Sequence, residues 1–202
     1  MDEESYWDQV YRSKTATEVS WYQLSPDDSL RRIQGLGDAS ARIVDVGAGA
    51  SHLVDALLDA GYRQPIVVDI SAAALDCAKQ RLGRRSDLVQ WLVADVTKSP
   101  PLPEVDIWHD RAVLHFLTDP SDQSAYAELA ARTIRRGGHA VIATFAPDGP
   151  ERCSGLLVQR HDGQSIGLLL GGQFELVAEE RVAHRTPTGV EQRFCWAVFH
   201  RR

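Results

Sequence analysis

Between residues 42 and 145 the chain alternates two kinds of segment. Short runs dominated by β-branched and other apolar residues cover Arg42–Val46, Ile66–Asp69, Leu88–Ala94, Asp106–Trp108 and Ala140–Phe145, and their composition predicts strands. Segments whose apolar positions recur every three to four residues lie between them, at about Ser51–Ala60, Ser71–Leu82 and Ser121–Arg136, and predict helices. In the last of these Tyr126, Leu129, Ala130, Thr133 and Ile134 fall on one helix face, and Gly137 supplies a C-terminal stop. Strand–helix alternation of this kind builds a parallel sheet with helices on both faces.

The two ends of the chain read differently. Phe174–His184 and Gln192–Arg201 are β-like runs joined by residues 185–191, which contain Pro187 and Gly189. They predict a hairpin that adds an antiparallel strand to the sheet. The fold class is therefore α/β: a doubly wound, Rossmann-like, mostly parallel sheet finished by a C-terminal antiparallel hairpin. The segment before the first strand holds two of the five tryptophans and three of the five tyrosines, and reads as one or two helices packed as a lid. No repeat or linker divides the chain. A single domain is expected, with residues 1–38 as helical lid, 39–146 as the ligand-binding core and 147–202 as substrate edge and hairpin.

Composition narrows the function classes. With 202 residues, 44% hydrophobic and 25% charged, the chain has the make-up of a globular domain. A formal charge of −6 argues against nucleic acid as partner, since phosphate contacts need a basic surface. The clusters Arg81/Arg84/Arg85 and Arg132/Arg135/Arg136 fall near predicted helix ends, where cations complement the helix dipole. No run approaches the roughly 20 apolar residues that cross a bilayer, so no membrane partner is expected. The acidic start, Met1-Asp2-Glu3-Glu4, does not resemble a signal peptide. Three scattered cysteines, Cys77, Cys153 and Cys195, have no metal-ligand spacing, which points to a reducing cytoplasm and to no metal site.

The chemistry concentrates at predicted strand ends. Val44-Asp45-Val46-Gly47-Ala48-Gly49-Ala50-Ser51 follows a strand and opens a helix, so Gly47 and Gly49 allow a tight turn that brings backbone N–H groups to a ligand. Ser51 is a plausible N-cap. Asp69 ends the next strand, 20 residues beyond Gly49, where a nucleotide-binding unit places the acid that accepts from ribose hydroxyls; its competing role is to cap the following helix, for which Ser71 also serves. A dinucleotide fingerprint would require a third glycine where His52 stands. An acid just upstream of the glycines, Asp45, instead suits the ammonium and sulfonium of S-adenosylmethionine (SAM). Asp95, in Val93-Ala94-Asp95-Val96, ends the following strand beside the expected adenine. Arg135-Arg136-Gly137-Gly138-His139 then leads from a helix into the next strand.

Taken in order, these motifs resemble the class I SAM-dependent methyltransferases across about residues 40–145. The resemblance implies a seven-stranded sheet, SAM as cofactor and S-adenosylhomocysteine (SAH) as product. Asp106-Ile107-Trp108-His109-Asp110-Arg111-Ala112 also resembles the Trp-Asp-Arg-Gly segment of thiopurine and thiol S-methyltransferases. His109 is inserted here, however, and Ala112 replaces the glycine. Tyr6-Trp7-Asp8-Gln9-Val10-Tyr11 and Ser20-Trp21-Tyr22 resemble the aromatic lid of those enzymes, and of small lysine methyltransferases. The expected cofactor residues are Trp21, Tyr22, Asp45, Gly47, Ala48, Gly49, Asp69, Ile70, Asp95, Val96 and Arg111.

Methyl transfer needs alignment and, for a protonated nucleophile, a proton acceptor. His109 and Asp110, placed where the fourth strand is predicted to end, are the candidate catalytic pair. His115 reads as core, Arg111 as a ligand for an acidic substrate or a partner of an acid, and Cys153 as an apolar filler or a soft ligand on the substrate edge. A small thiol or chalcogen compound is the favoured acceptor. The alternatives are protein lysine, a catalytically silent SAM-binding subunit, and a nicotinamide oxidoreductase disfavoured by the missing glycine.

Overall fold

The computed structural model describes residues 3–13 and 18–202. The parts of the expected lid at residues 1–2 and 14–17 lie outside the described residues. The lid segment otherwise forms two helices, α1 (Glu3–Ser13) and α2 (Asp27–Gln34). Then come β1 (Ile43–Val46), α3 (Leu53–Asp59), β2 (Ile66–Asp69), α4 (Ala72–Leu82), β3 (Gln90–Val93), β4 (Val105–Arg111), α5 (Pro120–Thr133) and β5 (Ile134–Phe145). A two-residue hairpin, β6 (Arg152–Cys153) and β7 (Leu156–Leu157), precedes α6 (Gly163–Leu170), and β8 (Phe174–Arg185) and β9 (Glu191–Arg201) close the chain.

Seven strands form one sheet in the order β3-β2-β1-β4-β5-β9-β8. The first five are parallel, and β9 runs antiparallel between β5 and β8. Order reverses at β1, whose neighbours are β2 and β4, and a crevice at the carboxyl ends of such strands is where an open α/β sheet binds ligands. Side chains alternate across the sheet. Val44, Val46, Trp108 and Ile142 pack with Tyr126 and Leu129 of α5 and Ile166 of α6 on one face. Ile43, Ile107 and Val141 pack with Ile33 of α2 and Leu53 and Leu57 of α3 on the other.

Two boundaries differ from the sequence reading, and both matter for the site. Strand β4 continues past Trp108 to Arg111, so His109 and Asp110 lie within the strand rather than beyond it. Helix α5 ends at Thr133, and Ile134 already belongs to β5. Gly137 is no helix stop; it sits in the strand at φ 78°. The β4–β5 ladder pairs Val105 with Ile134 and then slips to pair Ile107 with His139. The surplus residues form a bulge whose Arg135 reaches Asp106. At Gly138 a Cβ would collide with the Asp106 carbonyl and with Ile134, so the Gly-Gly pair serves a close strand approach.

Candidate functional site

At the end of β1 the chain turns through Gly47 (φ 60°) and Gly49 (φ 56°), both left-handed. A Cβ on Gly47 would run into the Val113 side chain, and one on Gly49 into the Tyr11 hydroxyl. Asp69 braces this turn: Oδ2 accepts from the Gly49 N–H at 2.7 Å and Oδ1 from the Ser71 N–H at 2.8 Å. Burial pushes its pKa up to about 6 against the pull of those two bonds, with Asp45 and Asp8 adding repulsion. Ser71 caps α4 through Ala74 N–H. Ser51 does not occupy the cap position of α3, which is His52, but its hydroxyl accepts from Leu53 N–H at 3.1 Å. Asp95 accepts from the N–H and hydroxyl of Thr97 at 2.8 and 2.7 Å.

Two cavities share Gly47, Trp21 and Arg111. The larger encloses about 770 Å³ of space, its open mouth included. Asp69, Ile70, Asp95 and Val96 line it from the β2–β3 side, and Arg111, Ala112, Phe116 and Cys153 from the β4 side. Helix α1 roofs it with Trp7 and Tyr11. Trp7 packs edge-on against Trp21 and Phe116, with ring centroids at 5.7 and 5.1 Å. Asp8 fastens α1 to the start of α4, accepting from Ser71 Oγ at 2.6 Å and Ala73 N–H at 3.2 Å. The smaller cavity is lined by Tyr22, Ser29, Asp45, Ala48 and His109.

The two candidate catalytic residues part company here. As neighbours in a strand they point to opposite faces. His109 faces α2, where its Nδ1 lies 2.7 Å from Asp45 Oδ1 and its Nε2 3.0 Å from Ser29 Oγ. Asp110 faces α5 and lines neither cavity. Its carboxylate accepts from Tyr126 Oη at 2.7 Å and from the N–H groups of Val113 and Leu114 at 2.8 and 3.1 Å. Burial raises its pKa to about 6 although all three bonds oppose the shift. Both lie inside β4, which runs on to Arg111, rather than beyond its end: Asp110 is turned away from the cavities, while His109 lines the smaller one.

Arg111, the last residue of β4, faces both cavities. Its Nη1 donates to the Trp21 carbonyl at 3.0 Å and its guanidinium stacks 5.1 Å from the Phe194 ring centroid. Nη2 is buried with no hydrogen-bond partner among the described residues, and burial lowers the pKa to about 10. The next residue, Ala112, adopts φ 76° without being glycine, and its N–H donates to the Ala143 carbonyl at 2.8 Å. Cys153 is buried in the same wall, and desolvation pushes its thiol up to about 11. Behind the wall His115 is fully buried, with Nδ1 accepting from Phe145 N–H at 3.2 Å and Nε2 unpartnered among the described residues. Burial, helped by nearby His161 and Arg111, takes its pKa down to about 3.

The fold thus gathers Trp21, Tyr22, Asp45, Gly47, Ala48, Asp69, Ile70, Asp95, Val96 and Arg111 around the two cavities. Gly49 stands beneath Tyr11. The lining suits a ligand such as SAM, since Asp69 and Asp95 in the larger cavity and Asp45 in the smaller offer carboxylates that can accept from hydroxyls, an amine or an ammonium. Sequence reasoning assigned no role to Ser29, Asp8, Trp7, Tyr11 or Phe116 individually. The spacing of Trp7 and Tyr11, four apart on one helix face, was a usable signal; Ser29 offered none. Among the described residues no group of three or more His, Cys, Asp or Glu could hold a metal ion, and no helix is long and apolar enough to cross a membrane.

Residues 44–142 match the family model described as a methyltransferase domain. No curated protein matches the chain. Solved structures are similar in fold at low identity. One, described by the conversion of a disulfide bond into a thioacetal group during echinomycin biosynthesis, is 18% identical with a TM-score of 0.80, covering 99% of this chain and 92% of its own. A SAM-dependent methyltransferase from Anabaena variabilis is 15% identical with a TM-score of 0.75, covering 100% and 96%. The N-methyltransferase NodS from Bradyrhizobium japonicum, solved with SAH, is 16% identical with a TM-score of 0.72, covering 96% and 98%.

Proposed function

We propose a function from this premise: the chain belongs to the class I SAM-dependent methyltransferases. Its acceptor is a small, soft and anionic nucleophile, a thiolate or related chalcogen species that carries or develops negative charge. The observation that carries this reading is Arg111, a buried guanidinium that lines both cavities and whose Nη2 has no partner among the described residues. A fixed cation there attracts an anion and repels the ammonium of a lysine. Among the described residues no histidine lines the larger cavity, so the wall suits a nucleophile that ionises near neutrality, as thiols do at about 8.5, better than an amine near 10.4.

Asp69 and Asp95 hold the nucleoside of SAM and Asp45 its ammonium, while Trp21 and Tyr22 cover the sulfonium end. Bound SAM supplies an electrophilic methyl group. The chain's own part is to align the acceptor against it through Arg111 and to exclude water with the α1 roof. In this reading residues 1–38 are the lid, 39–146 the cofactor core and 147–202 the substrate edge, all in one domain. The three unpaired cysteines suit a reducing, cytoplasmic setting. The sulfur chemistry in the description of the echinomycin-pathway structure agrees with a sulfur acceptor.

The test offers the protein methyl-labelled SAM with three kinds of acceptor side by side: thiols and selenols bearing a carboxylate, neutral thiols, and undigested lysate protein. Label is expected in small thiols, with the carboxylated ones preferred. Label confined to protein lysines would overturn the reading.

A further inference from the structure

Asp45 and His109 are register partners on the parallel strands β1 and β4, and both are buried, at 3% and 2% exposure. A carboxylate at that depth needs a donor, and the facing imidazole provides one. Its Nδ1 lies 2.7 Å from Asp45 Oδ1 and its Nε2 3.0 Å from Ser29 Oγ, so the ring is held at both nitrogens. The result is an unbroken line from α2, through His109, to the acid of the glycine turn. Ser29, His109 and Asp45 all line the smaller cavity.

This line has the order of a hydrolase triad, but its serine is 2% exposed within a helix, not presented on a turn. Its stationary element is also reversed. In a hydrolase the acid fixes the histidine; here the histidine, held at both nitrogens, fixes the acid. We propose that His109 is a positioning residue of the cofactor site. It locks the Asp45 carboxylate in the orientation that receives the α-ammonium of SAM, and Ser29 locks His109. The proposal rests on reading the two cavities as the SAM site. It replaces a proton-accepting role for His109, whose nitrogens are both occupied.

The role confines the effect of His109 to one end of the ligand, and two ligands separate the ends. SAH carries the amino-acid moiety; 5′-methylthioadenosine keeps the nucleoside and thioether and lacks it. Calorimetric titration of both should show His109→Leu weakening SAH by about 10- to 100-fold, the scale of a lost charged hydrogen bond, with methylthioadenosine unchanged. His109→Asn, which keeps a donor near the Nδ1 position, should recover most of the SAH affinity. Ser29→Ala should lose SAH selectively but less. Equal losses for both ligands, or SAH binding untouched in folded His109→Leu, would overturn the proposal. Should His109→Leu not fold, the ratio of SAH to methylthioadenosine affinity in Ser29→Ala and His109→Asn decides the matter: an unchanged ratio overturns it. Wild-type protein that binds neither ligand would overturn the underlying site reading instead.

Discussion

The two sides of the larger cavity are finished to different degrees. On the β2–β3 side the chain supplies partners for its own acids: Asp69 takes two backbone N–H groups and Asp95 a backbone N–H and a hydroxyl. On the β4 side Arg111 lines the cavity with Nη2 unpartnered among the described residues, and behind it His115 Nε2 is unpartnered as well. An unmade buried bond costs about 1–3 kcal/mol, so the second arrangement is stable only if something else compensates or if a ligand completes it. One side is a preformed seat. The other keeps a buried guanidinium nitrogen, Arg111 Nη2, without a partner among the described residues.

That contrast breaks most visibly at Asp110, which supports the wall from behind. Replacing it by Ala strands the Tyr126 hydroxyl and two backbone N–H groups, and should cost about 4 kcal/mol of stability by urea denaturation. A loss under about 1 kcal/mol would mean the wall does not depend on it. Acid tests the wall next. His115 is held neutral, with a folded pKa of about 3 against about 6.5 unfolded. The unfolded state therefore binds its proton first, and stability is lost as pH falls from 6.5 towards 3. Asp69 and Asp110, raised to about 6, act oppositely, their folded forms gaining stability as pH falls from 6 towards 3.8. The difference between wild type and His115→Asn isolates the histidine. The variant should be spared about 3 kcal/mol of acid destabilisation at pH 4, and parallel curves would refute this. The smallest stability effect belongs to Arg111→Met. Removing a desolvated, half-satisfied cation should shift stability by less than about 1 kcal/mol while abolishing discrimination between anionic and neutral thiols; a large destabilisation would show that the wall is complete without ligand.

Much of this organisation is legible in the chain itself. The glycine turn, the acids at the ends of β2 and β3, and the terminal hairpin all rest on local chemistry: positive-φ glycines, period-two runs, and a Pro/Gly connection. His109 and Asp110 misled because polar residues ordinarily mark the end of a strand. What keeps them inside β4 is satisfaction at a distance, from Asp45 and Ser29 in one case and Tyr126 in the other. No local pattern reports partners that lie 64 or 80 residues away. The bulge in β5 was hidden for a similar reason, since Arg-Arg-Gly-Gly reads as a helix terminus until the partner strand is known. Helix α6 opens on a local signal, Asp162 with Ser165 as a reciprocal cap, which the reading of the sequence did not use.

Ala112 carries a consequence for anyone engineering this protein. A non-glycine residue at φ 76° costs on the order of 1–2 kcal/mol, so a search for heat resistance would turn to Ala112→Gly early. The same turn sends Val113 over Gly47 and leaves Arg111 facing the cavity. A relaxed turn would have the freedom to drift from both. With Arg111 as the proposed acceptor ligand, thermal tolerance and acceptor selection compete at a single methyl group, and a stabilised variant should be screened for lost selectivity before it is kept.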